Sequence, residues 1–211
     1  MAGRGGDLRF VPVLSDDVDM TSSHRDDDVA FSDILAAAQA GDGRAIEWLF
    51  VRLQPRLLRF LNAQEARAAD DIAGDLWLAV ATQIAAFEGG WSEFRSWVFS
   101  IARRRLADHR RTAVRRRTDV TEAAVFDLRP SSETTEELVL DALSGQEAAA
   151  MIASSLRSEQ AEVLLLRLLG DLDVDQVARI MNHTPNWVRV TQHRALRNLA
   201  RRLGTKIAVM R

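Results

Sequence analysis

The side chains best suited to chemistry in this 211-residue chain are cationic, and the chemistry open to them is non-covalent. In VDQVARIMNHTPNWVRVTQHRALRNLARRL, near the C-terminus, Asn186, Arg189, Val190, His193, Arg194 and Arg197 recur at three-and-four spacing, which puts them on one face of a helix. Arg offers paired donors to guanine, apolar Val can meet a thymine methyl, and further Arg can hold phosphates. After Asp175 there is no acid at all, against seven Arg and Lys206. A second stretch, WSEFRSWVFSIARRRLADHRR, interleaves Trp91, Phe94, Trp97 and Phe99 with Arg103, Arg104, Arg105, Arg110 and Arg111. Cations that track phosphates beside aromatic platforms for unstacked bases suit a single strand. Phe94 and Trp97 match a buried period and read as core; Trp91 sits off it, at a loop, and is the better candidate for contact.

Other chemistries are excluded. Without Cys there is no disulfide, thiolate zinc site, iron–sulfur cluster or cysteine nucleophile. The four His show neither H-x-x-x-H nor H-E-x-x-H spacing. Asp70, Asp71 and Asp75 alone resemble a nuclease carboxylate set, but no placed His or phosphate-cradling glycine loop accompanies them. The expectation is therefore no catalytic residue, no metal and no cofactor. No apolar run approaches the ~20 residues of a membrane span, and the N-terminus lacks a secretory order, so a cytoplasmic protein without membrane insertion is expected.

The elements that must position these residues are helical. Ser32 can cap a short helix ending at Gly41, and Asp42 the next, where Ile46, Leu49, Phe50, Leu53, Leu57, Phe60 and Leu61 form one apolar stripe that Pro55 should kink or interrupt. A helix from about Asp70 to Phe87 aligns Ile72, Leu76, Val80 and Ile84; Gly89-Gly90 breaks it. Another starts near Ser92, burying Phe94, Trp97, Val98 and Ile101, and runs into the Arg tract. Later, Ser158 can cap a helix carrying Val163, Leu164, Leu166 and Leu168 that stops at Gly170. Asp173 with Gln176 resembles a capping box, Asn182 can turn left-handed, and Thr184 with Pro185 can open the last helix. Its packed face would hold Val188, Ala195, Leu196, Leu199 and Leu203. Two helices and a short turn make a helix-turn-helix.

Charge divides the chain the same way. Residues 1–33 hold eight Asp against three Arg, and 103–117 hold eight Arg against Asp108. Seven acids face Arg129 over 118–141. The predicted fold is all-α: a disordered extension (1–30), a helical domain (31–117), an acidic flexible linker (118–140) and a helix-turn-helix domain (141–211).

The order of parts resembles bacterial RNA polymerase sigma factors of the sigma-70 family, in the small extracytoplasmic-function (ECF) branch, over about residues 31–203. ILAAAQAGDGRAIEWLFVRLQPRLLRFL is similar to the first helix pair of that family's promoter-melting domain. ADDIAGDLWLAV resembles its polymerase-docking helix, FRSWVFSIARRRLADHRR its −10-reading helix, and SLRSEQAEVLLLRLLGDLDVDQVARIMNHTPNWVRVTQHRALRNL its −35 domain.

The resemblance implies roles. Asp70, Asp71, Asp75 and Trp77 would dock on core polymerase, with Trp77 where the family has Phe. Phe87, Trp91, Arg95, Arg103, Arg104, Arg105 and Arg110 would serve the −10 element, the 87–94 loop capturing a flipped base. Arg167, Asn186, Trp187, Arg189, Val190, His193, Arg194 and Arg197 would serve the −35 element. Implied partners are the clamp and flap regions of core polymerase, promoter DNA (duplex at −35, single-stranded at −10) and an anti-sigma factor. Three features depart from the pattern: Gly74 replaces a Gln, Arg104 stands where many members have Asn, and Gly89-Gly90-Trp91 lengthens the loop by about one residue. The alternative is a conventional helix-turn-helix regulator with a dimerising or ligand-sensing N-terminal domain, which has no need of the 70–77 carboxylate helix.

Overall fold

Local caps and stops bound the chain as the sequence predicts at Gly41, Asp42, Asp173 and Asn182, but not everywhere. The computed structural model describes residues 31–119 and 136–209, with side chains over 31–115 and 145–202, and every regular element among them is helical. The expected extension (1–30) and most of the expected linker lie outside the described residues. Helix α1 covers residues 31–39 and ends in a turn at Gly41, whose φ of 87° favours glycine. Phe31 is already helical, so Ser32 lies inside α1 rather than at its cap. The fully buried Phe31 ring, packed on Trp91 and Phe94, holds the helix there.

Asp42 caps α2 (Gly43–Glu65) by accepting from the Arg44 N–H at 2.8 Å. Pro55 does not restart α2; one helix runs through it. The carbonyl that loses its donor belongs to Val51, on the exposed side, where water can reach it. Leu49, Leu53, Leu57, Phe60 and Leu61 are buried as expected, but Ile46 and Phe50 are 36% and 40% exposed. They form one edge of the stripe, and that edge turns toward a groove instead of the core.

Helix α3 (Ala69–Gln83) and a 3₁₀ turn (Ile84–Ala86) bury Ile72, Leu76, Val80 and Ile84 against α2 and α4. Helix α4 (Trp91–Asp119) buries Phe94, Val98, Phe99, Ile101, Ala102 and Leu106, with Trp97 half-buried.

Helix α5 (Glu136–Ser155) begins inside the segment expected to be linker and packs on both α2 and α6. Helix α6 (Ser158–Leu168) starts at Ser158 with Arg157 at its cap position and no side-chain cap bond. Leu168, expected in its buried set, is 62% exposed at the last turn. Gly170 follows because a Cβ there would stand 2.6 Å from the Leu166 carbonyl oxygen.

Helices α7 (Val174–Met181) and α8 (Pro185–Val209) complete the helix-turn-helix. The capping box is present in both directions: the Gln176 N–H donates to Asp173 Oδ1 at 2.7 Å, and the Asp173 N–H to Gln176 Oε1 at 2.9 Å. Asn182 is left-handed (φ 57°, ψ 47°), and Thr184 Oγ1 accepts from the Trp187 N–H at 3.2 Å. Val188 and Ala195 are buried and Leu199 is half-buried, whereas Leu196 is 41% exposed, at the margin of the packed face. Leu203 lies outside the described side chains.

Candidate nucleic-acid and polymerase interfaces

The turn between α7 and α8 is locked by local hydrogen bonds, so the position of α8 is fixed. Val188, Thr191 and Ala195 face inward, and Asn186, Arg189, Val190, His193, Arg194 and Arg197 are all exposed on the other side. The structure brings these six together as one surface, a cationic and amide face on a rigid scaffold. Trp187 is half-buried, its ring stacked on His183 with centroids 3.7 Å apart and planes at 12°. Arg167, expected near phosphates, is half-buried, and its Nη1 donates to the Leu172 carbonyl at 2.6 Å across the α6–α7 turn.

The aromatic face of α4 differs from expectation. Trp91 is half-buried, with its ring centroid 5.4 Å from Phe31, 5.7 Å from Trp48 and 6.1 Å from Phe94. The Arg52 guanidinium carbon lies 4.6 Å from the Trp48 ring centroid and 5.8 Å from that of Trp91, a cation–π contact that staples α2 to α4. Burial came from residues far away in sequence, which the local period of α4 could not reveal. Phe87 is half-buried too, its ring 5.2 Å from Phe94 and 5.1 Å from Trp97.

The basic tract divides in two. Arg104 and Arg105 are exposed, while Arg110 donates to the Gln64 carbonyl at 3.2 Å. Arg95 and Arg103 face the C-terminal helices. Arg95 is 5% exposed and its Nη1 pairs with the Asp171 carboxylate. Arg103 Nε donates to Glu162 Oε1 at 3.0 Å, and its Nη1 to the Ile180 carbonyl at 3.2 Å. Gln176, whose amide oxygen serves the capping box, donates through Nε2 to the Ser92 carbonyl at 3.2 Å and to Ser92 Oγ at 2.9 Å. Two residues expected at the −10 element are thus engaged by the second helical unit.

A third surface lies on the exposed face of α3, where Asp71 and Asp75 also line a shallow pocket with Arg105 and His109 of α4. Asp70, Asp71 and Asp75 are exposed, the first two in the opening turn, where the helix dipole favours negative charge. They rim an open groove of about 790 Å³ whose apolar lining includes Ile46, Phe50, Trp77 and Leu78. The Trp77 indole N–H donates to Gln54 Oε1 at 2.6 Å, and its ring lies 5.1 Å from Phe50. The acids and Trp77 are the residues expected on this surface from the sequence; Phe50, Leu78 and Gln54, which the structure places beside them, were not. Phe50 carried a signal, since it lies at the edge of a stripe wider than one helix face needs.

Among the described residues no group of three or more His, Asp or Glu is placed to hold a metal ion, and no helix is long and apolar enough to cross a membrane.

A family model described as Sigma-70 region 2 matches residues 49–116, the segment that carries the groove and α4. The ECF RNA polymerase sigma factor SigC of Mycobacterium tuberculosis is 31% identical over 156 residues, covering 72% of this chain and 79% of SigC. The ECF RNA polymerase sigma factor BldN of Streptomyces coelicolor is 29% identical over 181 residues, 84% of this chain and 67% of BldN. Among solved structures, the sigma factor RpoE of Bartonella quintana, in complex with the anti-sigma factor NepR, matches with a TM-score of 0.57 at 17% identity, over 75% of this chain and 96% of that one. CnrH, in complex with the cytosolic domain of CnrY, matches with a TM-score of 0.55, also at 17% identity, over 82% and 96%. Those two carry the fold; SigC, similar over most of its length, carries the family. The chain belongs to the ECF branch of the sigma-70 family of RNA polymerase sigma factors and acts in the initiation of transcription.

Proposed function

We propose that three surfaces of this sigma factor divide the work of initiation, and that none of them performs covalent chemistry. The α8 face (Asn186, Arg189, Val190, His193, Arg194, Arg197) enters the major groove at the −35 element, with Trp187 beside the backbone. Arg104 and Arg105, with the loop from Phe87 to Phe94, serve the −10 strand. The acid-rimmed groove of α3 docks on a basic patch of the polymerase clamp: carboxylates steer the approach while Phe50, Trp77 and Leu78 supply apolar contact. The C-terminal unit meets the flap region. The protein works in the cytoplasm and, like RpoE in its complex with NepR, binds an anti-sigma partner.

The energetics explain why two DNA contacts are joined in one chain. Unstacking and unpairing cost a few kcal/mol per step, which captured bases and polymerase contacts must offset. Each unit is small, and mounting both on polymerase raises the effective concentration of the second once the first has bound. Arg95 and Arg103 reach DNA only after the units part, because both guanidiniums face Asp171, Glu162 and Ile180 in the closed arrangement.

The observation that carries this reading is the α8 face: six side chains exposed together, opposite buried Val188, Thr191 and Ala195. Footprinting of the reconstituted holoenzyme tests it. Arg189→Ala with Arg194→Ala is expected to abolish protection of the upstream element while core association is retained. Unchanged protection would refute the assignment of α8. Asp71→Arg with Asp75→Arg is expected to lose core polymerase in a pull-down; retention at the wild-type level would refute the groove.

A further inference from the structure

The loop between α3 and α4 holds its shape through a side chain that nothing so far has assigned a role. Gln39 sits in the last turn of α1, whose end is fixed by the Gly41 N–H donating to the Ala38 carbonyl at 3.0 Å and the Asp42 N–H to the Ala37 carbonyl at 2.9 Å. From that base its amide nitrogen donates to the Ile84 carbonyl at 3.1 Å and to the Phe87 carbonyl at 2.9 Å. The Ile84 carbonyl also accepts the Phe87 N–H at 3.0 Å, so the 3₁₀ turn and the residue leaving it are bound to one amide. Phe87 is extended there (ψ 133°) and its ring is seated on Phe94 and Trp97. At the other end of the loop the Gly90 N–H donates to Glu93 Oε2 at 3.1 Å. Gly89 has a φ of 139°, and a Cβ on it would stand 2.9 Å from the Glu93 Cβ. The loop is therefore anchored on both sides of Glu88 and Gly89, by α1 at the front and by α4 behind.

We propose that Gln39 is a positioning residue for the −10 loop: by donating two hydrogen bonds into its backbone it sets where the loop presents itself to an unpaired base. This rests on the assignment of the Phe87–Phe94 loop to the −10 strand. The chemistry favours an amide specifically. Its NH₂ supplies two donors to two carbonyls, whereas an ionised Glu of the same shape has none and would set a charge against their lone pairs. Gln39 is exposed, as is its bond to Phe87, so these bonds add little to global stability. Their consequence is geometric, and in a binding site a small displacement of a contact group has large effects.

The test uses the full-length protein bound to core polymerase, with a pool of short single-stranded DNA oligonucleotides carrying randomised positions; the bound fraction is sequenced. Wild-type, Gln39→Ala and Gln39→Glu are compared for core affinity, thermal midpoint and the enrichment ratio of the preferred sequences over the pool. The expected result is unchanged core affinity and midpoint, with enrichment reduced about three- to tenfold, the scale of a lost hydrogen bond, in both variants. A merely structural role would lower the midpoint or the amount of complex and leave the enrichment ratio alone. Retained enrichment in the variants, when the wild-type enriches, overturns the proposal for Gln39 only. A wild-type that enriches nothing overturns the assignment of the loop, and the proposal with it.

Discussion

Replacing Glu162 with Ala is expected to shift the chain toward a state in which its two helical units are apart. The Glu162 side chain is 10% exposed, that of Arg103 34%, and they meet at 3.0 Å. A hydrogen bond between charged groups contributes roughly 1.5–3 kcal/mol when well shielded. Because a third of Arg103 remains in contact with solvent, about 1–2 kcal/mol is the appropriate scale. That changes the ratio of separated to packed molecules by roughly 5- to 30-fold. Arg103 keeps its bond to the Ile180 carbonyl, so the loss is partial; Glu162→Gln, which preserves an acceptor, should give a smaller shift.

The absence of native Cys makes the assay clean. Cysteines placed at the exposed Ala81 and Ala200 take a donor and an acceptor dye, and transfer efficiency is followed for Glu162→Ala, Arg103→Ala and the double variant. If the pair acts as a latch, the double variant moves no further than the larger single one, since either change removes the same contact. Transfer efficiency that stays at the wild-type value in all three would refute the reasoning, and so would fully additive shifts.

Three further outcomes follow from the described geometry. Gly74→Ala is expected to raise stability by about 0.5–1 kcal/mol, read as the urea midpoint, because a Cβ there meets nothing within 4 Å and glycine weakens a helix interior. Leu53→Ala, at the fully buried centre of α2, should cost about 2–5 kcal/mol in the same assay; a loss under about 1 kcal/mol would contradict the packing. The affinity of the holoenzyme for promoter duplex should fall steeply with salt, and Arg197→Ala should flatten that slope if it contacts a phosphate; an unchanged slope would place Arg197 off the backbone.

What could be read from the amino-acid order was whatever is encoded locally. The helix-turn-helix was legible residue by residue, because Asp173 with Gln176, Asn182, and Thr184 with Pro185 each act within one turn of their own position. The exposed α8 face followed from the same spacing. The pairs that join the two units could not be read this way. Arg103 meets Glu162 across 59 positions and Gln176 meets Ser92 across 84, and such contacts leave no period behind. The fate of Arg95 shows the consequence: a cation in an Arg-rich helix reads as a nucleic-acid contact, and only the folded chain reveals Asp171 opposite it. The packing around Trp91 was hidden for the same reason, since Phe31, Trp48 and Arg52 come from α1 and α2. Residues 136–140 were read as linker because their composition is acidic, yet they open α5, whose packing on α2 outweighs composition. The alternative of a ligand-sensing regulator is set aside by the relatives, SigC among them; the carboxylates of α3 were the argument the sequence itself offered against it, and the groove they rim has an apolar wall as well.

The central claim, that this chain directs initiation by core polymerase through two DNA-reading surfaces, is tested most directly by transcription in vitro from a library of promoter-sized DNA fragments. Start sites are mapped with core enzyme alone, with the protein added, and with the protein carrying Arg189→Ala and Arg194→Ala. The account predicts defined start sites that appear only with the added protein and share two spaced sequence elements, the upstream one losing its influence in the variant. Start sites that are the same with and without the protein would contradict it.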